Sequence, residues 1–181
     1  MKSIALNRVK GMSGRKMDGV SSESLSFITT FERCLERFSP RSVEMIRARY
    51  GISREAGFQA QTLGALGRKY GISRERVRQI IRRILRDVRV MEDARLAWAI
   101  KKIEFTLQQN GGIMPKDELV KFLGDGKTDE ANAVEFFLDV AHRTVIILGD
   151  DRMKSSVAHT RFDMDRFHNR MNRIEDVFRG Y

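Results

Sequence analysis

Apolar residues return every third or fourth position through most of this chain, and each break in the rhythm falls at a glycine, a proline or a good helix cap. The sharpest stretch is Ser73–Val88. Val77, Ile80, Ile81, Ile84, Leu85 and Val88 stand at offsets of 3, 4, 7, 8 and 11 and form one helical stripe. Glu75, Arg78, Gln79, Arg82 and Arg86 gather on the opposite side. Ser73 is a good N-cap, and Glu75 in the first turn suits the positive helix end. One face is built for a core, and the other carries groups that bond base edges and phosphates.

The preceding segment completes a motif. Thr62 caps a short helix that runs to Tyr70, with Leu63, Leu66 and Tyr70 on one side, and Gly71 stands where a helix end wants a left-handed residue. Helix, tight glycine turn and second helix make a helix-turn-helix. Upstream, a helix from Ser21 or Ser22 to about Arg37 is expected, with Ile28, Phe31, Leu35 and Phe38 on one face. Ser39-Pro40 then opens a helix to Tyr50 with Val43, Ile46 and Tyr50 inward. Gly51 ends it, and 52–61 reads as loop.

Downstream, Leu96, Ala99, Ile100, Ile103 and Leu107 form a second stripe, closed by Asn110-Gly111-Gly112. Pro115 opens a short helix, and Thr128 caps another to about Ala141 with Ala133, Phe136, Phe137 and Val140 inward. Thr144–Leu148 is rich in β-branched residues and reads as a buried strand, and Ser155–Phe162 as its return. A final helix, 163–178, repeats Met164, Phe167, Met171, Ile174 and Phe178.

The run Tyr70–Ile80, together with Arg47–Ile52 and Thr62–Gly67, resembles region 4 of bacterial sigma factors over residues 39–90. Acidic residues are usual in that family where Gly64 and Ala65 stand, and a Glu is common at the place of Ile81. The resemblance implies reading of a promoter element in double-stranded DNA and docking on core RNA polymerase. It implies base contacts by Arg74, Glu75 and Gln79 and phosphate contacts by Thr62, Arg76, Arg78 and Arg82. Three helices followed by a hairpin are similar to the winged-helix domain of the RNA polymerase delta subunit. The expected fold is therefore mainly α: a basic tail (1–20), a sigma region 4-like helix-turn-helix domain (21–92), a winged-helix-like domain with a small β-hairpin (93–162) and a C-terminal helix (163–181).

Charge supports a polyanionic partner and places it. The net charge is +10. Residues 68–89 hold nine Lys/Arg against two acids, 1–67 hold eleven against six, and 90–181 hold fourteen against sixteen. The excess centres on the helix-turn-helix. The acids of 128–141, Asp129, Glu130, Glu135 and Asp139, make that helix a poor groove reader and suggest an outward face for a protein partner. A single cysteine, Cys34, fits a reducing cytoplasm. No membrane span, secretory leader or small-molecule site is read. His142, His159 and His168 lie in separate elements without metal-ligand spacing, so no catalytic, metal or cofactor site is expected. The rival reading is an accessory polymerase subunit that docks without reading DNA sequence.

Overall fold

The computed structural model describes residues 25–53, 59–151 and 153–179, with 174–179 as backbone only. The expected basic tail, the start of the first helix before 25, and Ile174 and Phe178 of the last stripe lie outside the described side chains.

Eight helices and three strands follow in the order α1 (Phe27–Leu35), α2 (Pro40–Tyr50), α3 (Leu63–Tyr70), α4 (Arg74–Arg89), α5 (Ala94–Gln109), β1 (Ile113–Pro115), α6 (Lys116–Gly124), α7 (Thr128–Val140), β2 (Thr144–Ile147), β3 (Ser156–His159) and α8 (Met164–Arg179) among the described residues. The caps are local chemistry. Hydroxyls of Ser26, Ser39, Thr62 and Ser73 accept backbone N–H groups at the starts of α1 to α4. Gly71, at φ 65°, ends α3 in the left-handed conformation and makes the tight turn into α4. Arg41 fastens this corner, its guanidinium donating to the Tyr70 carbonyl at 3.1 Å.

The second half has the order helix, strand, helix, helix, strand, strand. The chain is thus mainly α, a helix-turn-helix followed by a winged-helix arrangement with a small antiparallel sheet. The sheet has three strands in the order β1-β3-β2, with Ile113 and Val145 both opposite Ala158. Its third strand, β1, is too short for periodicity to announce. Burial within the sheet also differs from expectation. Val145 and Ile146 of β2 are exposed, whereas all four residues of β3 are buried. Strand content alone does not distinguish an edge strand from a central one, and β2 lies at the edge.

One hydrophobic core runs from Phe27 in α1 to Val157 in β3. Its centre is an aromatic cluster. Phe136 of α7 meets Phe31 edge-on at 4.9 Å, Tyr50 at 5.4 Å and Phe137 at 5.2 Å. Phe27 stacks obliquely on Trp98 of α5 at 5.3 Å. Helix α7 therefore packs its apolar face on α1, α2 and α4.

Several of its polar residues serve the same joint, so the acidic residues are outward only in part: Asp139 is exposed, and Asp129, Glu130 and Glu135 are half-buried. Glu130 accepts the N–H groups of Phe27 and Ile28 at the start of α1, at 2.8 and 3.4 Å. Asn132 donates to the Gly51 carbonyl at 2.8 Å. Tyr50 donates its hydroxyl to Asp139 at 2.6 Å, and Glu135 pairs with Lys116 at 3.1 Å. Arg89, at the end of α4, donates to the Asp139 and Val140 carbonyls, both at 2.9 Å, closing the C-terminus of α7.

This joint predicts that the described residues unfold as one unit. Phe136→Ala should cost about 3–5 kcal/mol, the range for a fully buried aromatic. In denaturant, Trp98 fluorescence and helix circular dichroism should give one coincident transition for the wild type. Separate transitions for the two probes would show that the halves are independent.

Candidate nucleic-acid interface

Helix α4 is held from behind and open in front. Val77, Ile81, Ile84 and Val88 are buried against the core. Ile81 is only 6% exposed, so a Glu at this position would meet the core rather than solvent. Arg74, Glu75, Arg76, Gln79 and Arg82 are exposed, and Arg78 is half-buried. The expected separation into a core face and a polar face is therefore the one observed.

The polar face is a linked network. Arg78 donates Nε to Glu75 Oε2 at 2.7 Å and a second guanidinium N–H to Glu75 Oε1. Gln79 donates its amide to Glu75 Oε1 at 3.3 Å and accepts from Arg76 at 3.3 Å. Glu75 thus orients both Arg78 and Gln79 before any ligand arrives. The Arg78 guanidinium holds the Glu75 carboxyl below the ordinary carboxylate range, so it stays an acceptor through mildly acid pH. Arg74 and Arg82 make no ion pair among the described residues. Farther along, Arg83 and Arg86 share Asp87 at 3.7 and 3.6 Å.

A second group of residues converges beside Arg74. A cleft of about 440 Å³ is lined by Arg49, Thr62, Leu63, Gly64 and Arg74. Thr62 caps α3 here, its hydroxyl accepting the Ala65 N–H at 3.2 Å. The first-turn N–H groups of α3 and the two guanidiniums leave this corner rich in donors and positive potential, the setting that favours a phosphate. Arg49 is the residue that the sequence left unassigned. It lies in the last turn of α2, on a different element from the motif, and donates to the Gln61 carbonyl at 3.3 Å. Only the fold brings it to Thr62 and Arg74.

Gly64 and Ala65, which depart from the family pattern, sit in a fully formed α3. Gly67, also in α3, has no room for a side chain, since a Cβ there would approach the Ile72 carbonyl oxygen at 2.8 Å. The small residue is what lets α3 come so close to the turn.

Other candidate chemistry recedes. Burial pushes the Cys34 thiol up to about 12, with Asp93 adding to it, so the sulfur stays protonated at neutral pH. Among the described residues no three His, Cys, Asp or Glu side chains gather to hold a metal ion, and no helix is long and apolar enough to cross a membrane.

The family model of Sigma-70, region 4 matches residues 34–90, from within α1 to the C-cap of α4. This segment, with its helix-turn-helix α3–α4, is thus similar to region 4 of sigma-70 factors. No curated protein and no solved structure matches the chain.

The Glu75 network carries its own prediction. Glu75→Gln releases Arg78 from its carboxylate and makes one more cation available to phosphates. Non-specific duplex binding should tighten, and the slope of log affinity against log salt should steepen by about one unit. Fluorescence anisotropy across a salt series reads this directly. A slope equal to that of the wild type would mean that releasing Arg78 adds no backbone contact beyond any it makes with Glu75 in place.

Proposed function

We propose that this protein is a sequence-specific, sigma-like DNA-binding factor that places the start of α4 in the major groove of a promoter element and associates with RNA polymerase. The observation that carries the reading is the front of α4: Arg74, Glu75 and Gln79 stand exposed on its first two turns while its other face is locked in the core. In this role Arg74 donates to a guanine edge, Glu75 accepts from a cytosine amino group, and Gln79 serves as donor and acceptor to an adenine. Thr62, Arg76, Arg78 and Arg82 take phosphates on either side and set the register. Arg49 joins them at the α3 corner.

Polymerase association is supported by the opposite flank. A cleft of about 400 Å³ between the α1–α2 junction and α4 is lined by Arg37, Phe38, Ser39, Ser42, Ile80, Arg83, Ile84 and Asp87, the last paired with Arg83. Phe38 and Ile80 are half-buried there, an apolar floor with a charged rim of Arg37, Arg83 and Asp87 that suits a protein helix. The same cleft also favours the second reading, an accessory polymerase subunit that leaves DNA sequence unread. A footprint separates the two readings.

Binding-site selection with the full chain should return a defined motif. Glu75→Ala should relax the preference at one base pair, worth about 1–3 kcal/mol of discrimination. Arg82→Ala should instead weaken all sequences alike and make the salt slope shallower by about one unit. Selected sites without a common motif, with polymerase still captured, would favour the accessory subunit. Identical motifs for the wild type and Glu75→Ala would remove Glu75 from the base-reading set.

A further inference from the structure

The second half holds a basic cleft that the helix-turn-helix reading does not use. It measures about 510 Å³ and opens between the end of α5 and the start of α8. Arg161, Arg166 and Arg170 line it, with His159 and Asp163. The three arginines are exposed and make no ion pair among the described residues. Asp163, the single carboxylate in the lining, already accepts the Arg166 N–H at 2.9 Å and so starts α8. Three arginines therefore line one cleft with one committed counter-charge, a like-charge grouping whose repulsion a bound anion relieves.

His159 gives the cleft a fixed donor. The side chain belongs to the central strand β3 and is only 8% exposed. Its Nδ1 accepts the Arg161 N–H at 3.1 Å, which puts the ring proton of the neutral imidazole on Nε2. Nε2 makes no hydrogen bond among the described residues and is not sealed from solvent, so it can donate to a ligand in the cleft. The backbone holds the ring still: the His159 N–H donates to the Gly112 carbonyl at 2.9 Å. On the α8 side, Phe167 packs on Phe162 at 5.6 Å and anchors the turn that carries Arg166 and Arg170.

We infer that this cleft binds a phosphate group, with His159 Nε2 donating to one oxygen and Arg161, Arg166 and Arg170 sharing the others. Planar guanidinium forks match phosphate geometry, and a ring N–H donor adds direction to their charge. Two sources present this chemistry: the phosphodiester backbone of the duplex that α4 reads, and a free phosphate or phosphorylated small molecule. The first source rests on the function proposed above, and the second does not.

Two arms on the full chain separate them. In the first, inorganic phosphate is titrated at constant ionic strength against chloride while the His159 ring nitrogens are followed by long-range proton–nitrogen NMR. A saturable movement of Nε2 is expected. Its affinity should fall roughly tenfold in Arg166→Gln and again in Arg170→Gln, as for lost charge-assisted hydrogen bonds. In the second arm, duplex binding is measured across a salt series for the wild type and for Arg166→Gln/Arg170→Gln. A slope shallower by about two units assigns the phosphodiester. An unchanged slope with the phosphate response intact assigns a free phosphate. An unmoved ring together with an unchanged slope overturns the site, as does a ring response that survives loss of all three arginines. The phosphate arm needs no DNA, so a failure of α4 to read a sequence would leave its result standing.

Discussion

The contact of Phe136 with Phe31 and Tyr50 is the constraint on which the rest depends. Helix α1 offers its Phe27 and Phe31 to a surface that the first ninety residues do not themselves supply. That surface is α7, fully buried at Ala133, Val134, Phe136 and Phe137. Edge-to-face rings add directional preference to the area they bury, so the cluster fixes an angle as well as a distance. Because α7 also touches α2 and α4, the second half sets where the helix-turn-helix stands.

The polar bonds around this cluster explain why α7 carries so many acids. A buried helix start leaves unpaired N–H groups, and Glu130 satisfies two at α1. A buried helix end leaves carbonyls, and Arg89 satisfies two at α7. Arg89 is the last residue of α4, so α4 and α7 are joined end to end by one guanidinium. Each of these groups would be costly to bury alone. Together they specify a single way for the two halves to meet.

Much of this was legible in the sequence because it is local. Ser39-Pro40, Thr62, Gly71 and Ser73 act within a turn of themselves, and the α4 stripe needs only its own periodicity. What the sequence hid is all long-range. Glu130 and Phe27 are 103 residues apart, and nothing in the composition of either segment announces the other. An acidic helix reads as solvated when its partners are out of view, so α7 looked like an outer surface. The Val-Ile run of β2 misled for a related reason, since apolar content does not say which strand lies in the middle. On α4, the shared polar face of Glu75, Gln79 and their neighbours follows from helical geometry, whereas the place of Arg49 beside Thr62 and Arg74 needed the fold to bring α2 beside α3.

The charge distribution follows from the same division. Residues 90–181 hold sixteen acids to fourteen bases, yet several of those acids are turned inward or paired: Glu130 on α1, Asp139 on Tyr50, Glu135 on Lys116, Asp163 on its own helix start. An inward acid neutralises a helix terminus and contributes little to the field outside. The arginines of α4 and of the α5–α8 cleft remain outward, and interactions at the surface fall off within about 10 Å at moderate salt. The potential that a polyanion meets is thus set by the outward arginines and not by the net charge of either half. A sum over sequence makes the C-terminal half unattractive to phosphate, while the fold leaves on it a cleft where three arginines outnumber one committed carboxylate.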